Sequence, residues 1–275
     1  MNLRNFGFRQ VASFLAVKLK HFWRGPSRPV LVYQMGKVAS SSVYTSLKMT
    51  TNLDVYHIHR LNPQNIKLVK EEHLKRGDSP PLDHEGLYLY KNLIRHGKKS
   101  VKIITLIREP ISRNISAFFQ NLESFERIKN AHNVVSIEQL VADFIRLYNH
   151  DVPLTWFNVE LFKTTGVDVY QHSFPYEKGY QVIDAPPYCL LIIRHDLEDK
   201  LKEKCIAEFI GVESFCLSRE NEASLKQYAD TYQEFLDSIK LPDEYIKWML
   251  SSKYAKHFYS DEERCAIYKI WTVGP

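Results

Sequence analysis

Short runs of apolar, often β-branched residues recur along the chain and predict buried strands. Residues 29–34, 101–107 and 189–193 form the clearest of these runs. They are too short for typical helices, and nearly continuous apolar character is typical of a parallel strand covered on both faces. Amphipathic stretches lie between the runs and dominate the last third of the chain. The pattern predicts an α/β fold in one domain: a parallel sheet flanked by helices, with a helix-rich C-terminal half.

The first 28 residues differ from the rest of the chain. They are basic and aromatic, and they end in a cluster of Gly, Pro, Ser and Arg that is typical of a linker. The apolar run at residues 11–19 contains Lys18 and is shorter than the roughly 20 residues that a bilayer requires. We expect residues 1–28 to form either a helix in peripheral contact with an anionic membrane surface or a solvated helix. The main domain then covers residues 29–275.

The net charge of +5 is concentrated at the N-terminal end. Eight of the 37 lysines and arginines precede Asp54, the first acidic residue, which leaves 29 bases against 32 acids in the rest of the chain. The rest of the chain is therefore mildly acidic, which argues against a nucleic-acid partner. The four cysteines are widely spaced and have neither metal-site nor disulfide-framework spacing. We therefore expect a cytoplasmic protein, at most peripheral to the inner face of a membrane, and no metal site.

A candidate phosphate-binding loop follows the first predicted strand. It contains Gly36, Lys37 and three consecutive serines, and a helical pattern begins there. Free backbone N–H groups at a helix N-terminus, together with a lysine, favour an anion. A Walker A loop would have Ser or Thr directly after the lysine, whereas Val38 stands there. Read alone, the segment is equally well explained as an ordinary helix start.

A second candidate anion site follows the strand at residues 101–107. Arg108 comes directly after that strand, and Pro110 is typical of a first helical turn. Arg108 is therefore expected at the carboxyl end of a parallel strand, where α/β sheets bind ligands. Ser116 lies on the helix that leaves this point.

Together the two segments resemble the paired signatures of the PAPS-dependent sulfotransferases. The first resembles their 5′-phosphosulfate loop, and the second resembles the 3′-phosphate motif of carbohydrate sulfotransferases in order and in spacing. The segments at residues 156–160 and 253–259 are similar to bacterial sulfotransferase-like proteins of capsular polysaccharide synthesis. The residues that carry the two phosphate signatures are Gly36-Lys37-Val38-Ala39-Ser40-Ser41-Ser42 and Arg108-Glu109-Pro110-Ile111-Ser112-Arg113-Asn114-Ile115-Ser116.

The resemblance implies a P-loop-like sheet, PAPS as co-substrate without a metal, and specific residue roles. Lys37 would contact the bridging oxygen and the 5′-phosphate, and Arg108 and Ser116 would bind the 3′-phosphate. Glu109 would orient Arg108. The remaining residues implied in cofactor binding are Gly36, Val38, Ala39, Ser40, Ser41 and Ser42.

Two histidines are candidates for the base that deprotonates the acceptor. His57 and His59 lie in a presumed second strand, whose alternation puts both side chains on one face. A His-x-His after the first helix also resembles the base region of uronyl 2-O-sulfotransferases. Two ordinary strand-end histidines would give the same pattern, and the residues do not decide between the two histidines.

The expected function is transfer of the sulfuryl group of PAPS to a hydroxyl, with a glycan as the favoured acceptor. Two alternatives remain at this stage: a nucleotide-dependent kinase or NTPase, and a non-catalytic protein that keeps the nucleotide pocket. Four basic side chains were considered as contacts for an anionic acceptor, although surface charge explains them equally well: Arg60, Lys91, Arg95 and His257.

Overall fold

A computed structural model describes residues 29–95, 100–218 and 227–273. The segment at residues 1–28 lies outside the described residues, and so do both alternatives expected for it, a membrane-surface helix and a solvated helix.

The described chain is a mixed α/β protein built on a five-stranded sheet in the order β2-β1-β3-β5-β4. Four strands are parallel, and β4 pairs antiparallel with β5. The strands are β1 (Pro29–Tyr33), β2 (Asp54–Ile58), β3 (Val101–Ile107), β4 (Tyr180–Ala185) and β5 (Tyr188–Arg194). The predicted strands are confirmed, whereas the prediction of an entirely parallel sheet is wrong at β4. Only two residues join β4 to β5, and so short a connection forms an antiparallel hairpin.

Helices flank the sheet and dominate the C-terminal half, as predicted; the P-loop-like character of the sheet stays a prediction. Two helical segments have π-type hydrogen bonding, Tyr90–Ile94 and Phe157–Phe162. The α-helices are α1 (Ser40–Thr50), α2 (Pro63–Lys75), α3 (His84–Leu89), α4 (Pro110–Gln120), α5 (Leu122–Glu126), α6 (Ala131–Val134), α7 (Ile137–Leu147), α8 (Val152–Trp156), α9 (Lys163–Thr165), α10 (Asp199–Ile210), α11 (Ala229–Ser238), α12 (Asp243–Ser251), α13 (Lys253–Phe258) and α14 (Asp261–Val273).

The apolar side chains form two buried clusters. One surrounds the sheet and includes every residue of β1 except Pro29. The other lies among helices and contains Phe118, Phe144 and Phe235, whose rings contact one another. Helix α4 contributes its apolar stripe to this second cluster. Its opposite face is thereby left available for the site described below.

The strand order creates a switch point between β1 and β3. The chain passes from β1 through α1 to β2 on one side of β1, and later returns to place β3 on the other side. The loops that leave β1 and β3 therefore diverge and open a crevice at the carboxyl ends of the strands, which is the usual ligand position in such sheets. Within the described ranges, the helices lack the combined length and apolarity needed to cross a bilayer.

Candidate anion site at the carboxyl ends of the strands

A cavity of about 700 Å³ opens at this switch point. Most of its lining comes from the segments at the ends of β1, β2, β3 and β5, and Tyr148, Tyr228 and Tyr232 are added by the helical part of the chain. Four cationic side chains line it: Lys37, Arg60, Arg108 and Arg113. Of the described residues that line it, none is an aspartate or glutamate. The volume suits a small-molecule ligand, and a lining that carries cations without acids favours an anionic one.

The loop between β1 and α1 has an unusual backbone. Gly36, Lys37 and Ala39 adopt left-handed conformations, with φ of 84°, 63° and 61°. Such a conformation costs a non-glycine residue on the order of 1 kcal/mol, and strain of this kind clusters at ligand sites. Ala39 is the N-cap of α1 and provides no side-chain cap. The positive end of α1 therefore meets the cavity with a loop whose successive N–H groups suit an anion.

Two arginines organise the carbonyl groups of this loop. Buried Arg113 donates from Nη2 to Met35 O at 2.7 Å and from Nε to Gly36 O at 3.2 Å. Arg108 donates from Nη1 to Lys37 O at 3.4 Å. Arginine N–H groups thus bind the carbonyl oxygens of three successive residues. These oxygens would otherwise repel a bound anion.

All of the predicted cofactor residues except Val38 line the cavity. The side chain of Val38 is fully buried in the sheet core, so only its backbone is available to a ligand. Lys37 Nζ donates to Gln120 Oε1 at 2.6 Å, and this contact holds the ammonium against α4. Arg108 Nε donates to Ser112 Oγ at 3.0 Å. Ser116 lies one helical turn further on, on the same wall of the cavity.

Both candidate bases contact the same buried glutamine, Gln34. Gln34 Nε2 lies 3.2 Å from His57 Nε2 and 2.8 Å from His59 Nδ1. The side-chain oxygen of Gln34 accepts the Gly36 N–H, which directs its amide nitrogen toward the histidines. His57 Nε2 also lies 2.9 Å from Ser40 Oγ. The structure therefore confirms that both histidines lie on one face and joins them to the anion loop.

Both histidines are shifted toward the neutral form. Burial, with a smaller contribution from His59, lowers the pKa of His57 to about 4. Desolvation by the cavity walls, assisted by the charges of Arg60 and Arg113, lowers the pKa of His59, against a hydrogen bond to the Gln34 carbonyl that raises it. A neutral imidazole at neutral pH is the form that can accept a proton.

The structure adds a histidine that sequence reasoning gave no site role. His195 follows β5 and lines the cavity. Burial, followed by the charges of Arg108 and Lys202, lowers its pKa to about 4. Its place directly after a predicted strand was a usable signal. Arg113 was also missed, although its position five residues after Arg108 in the same motif pointed to the same site.

Glu109 does not play the expected part of orienting Arg108. Its carboxylate caps α4 by accepting the N–H groups of Ile111 and Ser112, and it also accepts Trp271 Nε1–H at 2.7 Å. A buried carboxylate at a helix N-terminus satisfies the exposed N–H donors there, which explains the arrangement. Tyr254 fixes the backbone of Arg108, because its hydroxyl accepts from Arg108 N at 3.2 Å and donates to Arg108 O at 2.8 Å. The guanidinium is oriented by Ser112 Oγ and Lys37 O, to which it donates.

Only one of the four side chains considered for an anionic acceptor lines the cavity. That residue is Arg60, which follows β2. Lys91 and Arg95 lie elsewhere, in or beside the π-helical segment Tyr90–Ile94. His257 packs against Tyr170 and Phe258, with ring centroids 5.0 Å and 4.6 Å away.

Hydrogen bonds from the protein interior fix the backbone of the segment that carries His59 and Arg60. Buried Glu160 accepts the N–H groups of Leu61 at 2.9 Å and Asn62 at 3.1 Å. Trp156 Nε1 donates to His59 O at 3.2 Å. The functional side chains therefore project from a backbone that is itself fixed by the tertiary structure.

Residues 139–260 match the model of a family described as "Putative capsular polysaccharide synthesis protein". The match covers less than half of the chain. No curated protein matches the chain, and no solved structure does. The similar region includes Trp156, Glu160 and Tyr254, which position the segments after β2 and β3, and it includes the cavity residue His195. The anion loop and Arg108 lie outside it. The resemblance to capsular-synthesis proteins is thus supported for this region.

Proposed function

We propose that the protein transfers the sulfuryl group of PAPS to a hydroxyl of a glycan during capsular polysaccharide synthesis. The observation that carries the proposal is the acid-free cationic cavity at the β1–β3 switch point, into which the anion loop and Arg108 both project. The family similarity over residues 139–260 supports a role in polysaccharide synthesis.

The two phosphate groups of the nucleotide are assigned to neighbouring strand ends. The left-handed loop and the N-terminus of α1 bind the 5′-phosphosulfate, and Arg108 with Ser116 binds the 3′-phosphate. Strands β1 and β3 are adjacent, so these two binding elements start about 4.8 Å apart. An arginine suits the 3′-phosphate because its planar fork binds two oxygens at once.

Sulfuryl transfer forms a bond between the acceptor oxygen and sulfur and breaks the bond between sulfur and the bridging oxygen. Negative charge then develops on the leaving phosphate, where Lys37 Nζ stabilises it. The proton of the acceptor hydroxyl goes to His59 Nε2. This requires the tautomer in which His59 Nδ1 donates to Gln34 O, at 3.2 Å, so the Gln34 amide nitrogen, 2.8 Å from Nδ1, must turn away from it toward His57 when His59 acts as the base. His57 Nε2 is already engaged by Ser40 and Gln34, which gives it a supporting role.

A kinase or NTPase is the less well supported alternative. Magnesium–nucleotide sites use carboxylate and hydroxyl oxygens to bind the ion. The described cavity lining has no carboxylate, and position 38 provides a buried valine where a Walker A loop has Ser or Thr.

The deciding experiment compares thermal unfolding of the full-length protein with PAP and with ADP–magnesium, followed by transfer of radiolabelled sulfate from PAPS to a panel of glycans. We expect stabilisation by PAP and labelled product. Lys37→Ala should lower turnover by about 10²- to 10³-fold, as for loss of one charge-stabilising group. Lys70→Ala, which removes an exposed lysine of α2 outside the cavity, is the control.

Stabilisation by ADP–magnesium alone would overturn the proposal in favour of the kinase alternative. Stabilisation by PAP without sulfate transfer to any acceptor would instead favour a non-catalytic nucleotide-binding protein. Near-normal turnover in Lys37→Ala would show that the loop lysine has been given the wrong role.

A further inference from the structure

We infer that Arg60 forms a separate acceptor subsite that binds a carboxylate, so that the acceptor is a glycan containing a carboxylated sugar. This inference rests on the proposed function and names its substrate class. Among the described lining residues, Arg60 is the one lysine or arginine that reaches the cavity from the β2 side.

The position of Arg60 in the sheet separates it from the arginines of the nucleotide end. Strand β1 lies between β2 and β3, so the ends of β2 and β3 are two strand spacings apart, about 9.6 Å. Arg60 thus enters the cavity from the edge that carries His57 and His59, whereas Arg108 and Arg113 enter from the β3 side, next to the anion loop. Because the nucleotide phosphates are assigned to the β1 and β3 ends, Arg60 is available to an anion of the acceptor.

Asp83 orients the guanidinium of Arg60 but engages only its Nε. Its Nε donates to both carboxylate oxygens of Asp83, at 3.0 Å and 3.2 Å. Asp83 does not line the cavity. Within the described part of the chain, the terminal nitrogens of Arg60 make no hydrogen bond, and the side chain remains 24% exposed. The paired terminal N–H groups are thus left for a bidentate anion. In an acceptor that is a glycan without phosphate, the group that fits is the carboxylate of a sugar acid.

The backbone around Arg60 is rigid, as a binding site requires. Trp156 holds His59 O, and Glu160 holds the N–H groups of the two residues that follow Arg60. On the other side, helix α3 packs so closely that a Cβ on Gly86 would lie 2.1 Å from Arg60 O. Only glycine permits this approach. A side chain fixed before binding loses little conformational entropy when the ligand arrives.

The neighbour of Arg60 makes the subsite relevant to the transfer. His59, the assigned base, lines the cavity one residue away. An acceptor whose carboxylate binds Arg60 therefore places a hydroxyl of the same or the adjoining sugar near His59. Arg60 would thereby select acidic glycans and orient the hydroxyl that is modified.

The test measures binding of acidic oligosaccharides to the full-length protein by calorimetry, with and without PAP. The probes are hexasaccharides of polygalacturonate, alginate and hyaluronan, each paired with its carboxyl-reduced form. We expect at least one acidic member to bind at least tenfold more tightly than its reduced partner. Arg60→Gln should abolish that preference while leaving the reduced form within twofold, and Arg60→Lys should retain part of it. Arg146→Gln, at an exposed arginine outside the cavity, is the control.

Three outcomes would overturn the inference: no preference for any acidic probe, an equal loss for both forms in Arg60→Gln, or loss of PAP stabilisation in that variant. The last would assign Arg60 to the nucleotide. Because binding is measured without catalysis, an Arg60-dependent preference in a protein that transfers no sulfate would refute the proposed function and leave the subsite standing. Should Arg60→Gln fail to fold, Arg60→Lys replaces it: a reduced preference for the acidic form with unchanged binding of the carboxyl-reduced form supports the inference, and an unchanged preference overturns it.

Discussion

At the scale of single residues, Gln34 connects the anion loop to the candidate bases. Its side-chain oxygen accepts the Gly36 N–H, while its amide nitrogen contacts His57 and His59. A change in the loop backbone would therefore move the hydrogen-bond partner of both imidazoles. Under the proposed function, Gln34 would therefore link binding of the phosphosulfate to the protonation state of the base.

The roles of the two histidines can be separated by substitution. His59→Asn should lower kcat by about 10²- to 10⁴-fold, the usual contribution of a general base, and should leave PAP stabilisation unchanged. His57→Asn should lower kcat by only about tenfold, because His57 holds Ser40 and Gln34 in place but does not take the proton. Since the pKa of His59 is lowered from 6.5, the acid limb of kcat/KM should lie below pH 6.5. Full activity in both variants would exclude the pair as bases.

At the scale of elements, helix α8 and the π-helical segment Phe157–Phe162 position the chain that leaves β2. Insertion of an extra residue into the hydrogen-bonding pattern makes a π-helix, which is frequent near functional sites. Here the segment brings Glu160 to Tyr33, Leu61 and Asn62. Burial raises the pKa of Glu160, although the hydrogen bonds from Tyr33, Asn65 and the backbone oppose the shift.

Glu160→Gln tests this support. One carboxylate oxygen accepts from Leu61 N, Asn62 N and the Tyr33 hydroxyl, and the other accepts from Asn65 Nδ2. The amide NH₂ of glutamine would replace one of these acceptors and face a donor, so we expect the free energy of unfolding to fall by about 1–3 kcal/mol. Turnover should fall and the KM for the acceptor should rise, while PAP stabilisation changes little, because the segment carries His59 and Arg60 but not the anion loop.

The matched control for this prediction is Glu72→Gln, an exposed glutamate on α2. Urea unfolding and steady-state kinetics at pH 7.5 give the comparison. Equal losses of PAP binding and turnover would mean that Glu160 supports the whole fold and has no selective effect on the β2 side.

At the scale of the whole molecule, a cationic cavity coexists with half-buried histidines whose pKa values are lowered. The pKa values of His57 and His195 are both lowered to about 4, largely by burial. In the unfolded chain each would titrate near 6.5, so the unfolded state binds protons first as the pH falls. The histidine contribution to stability is therefore present above about pH 6.5 and is lost between pH 6.5 and 4.

Urea unfolding from pH 7.5 to 4.5 should show this loss, with an upper bound of roughly 3 kcal/mol per histidine. Burial raises the pKa values of Glu109 and Glu160, which has the opposite effect on acidification. The histidine contribution is thus obtained as the difference between wild type and a His57→Asn/His195→Asn variant, whose stability should fall less steeply. Identical slopes would contradict the assignment.

Much of the fold and half of the site could be predicted because their signals are local. The apolar runs of β1, β3 and β5 reflect burial on both faces, and Gly36 with the following serines marks a turn into a helix. Arg108 and Ser116 follow from their place after a strand. The capsular-type segments were also recognisable from short stretches, and one family similarity covers them.

The sequence by itself thus determined which strands form and which loop residues meet at their carboxyl ends, since these follow from local hydrophobicity, turn chemistry and chain order. Only the tertiary structure decided the partners of those residues. Glu160 binds Leu61, which is 99 residues away in the sequence, and Tyr254 binds Arg108, which is 146 residues away. The hydrophobic periodicity of a sequence does not predict such long-range contacts. The same holds for the helix-capping role of Glu109, the lowered pKa of His195 and the contact of Arg60 with Asp83, because desolvation and distance between charges exist only once the chain is packed.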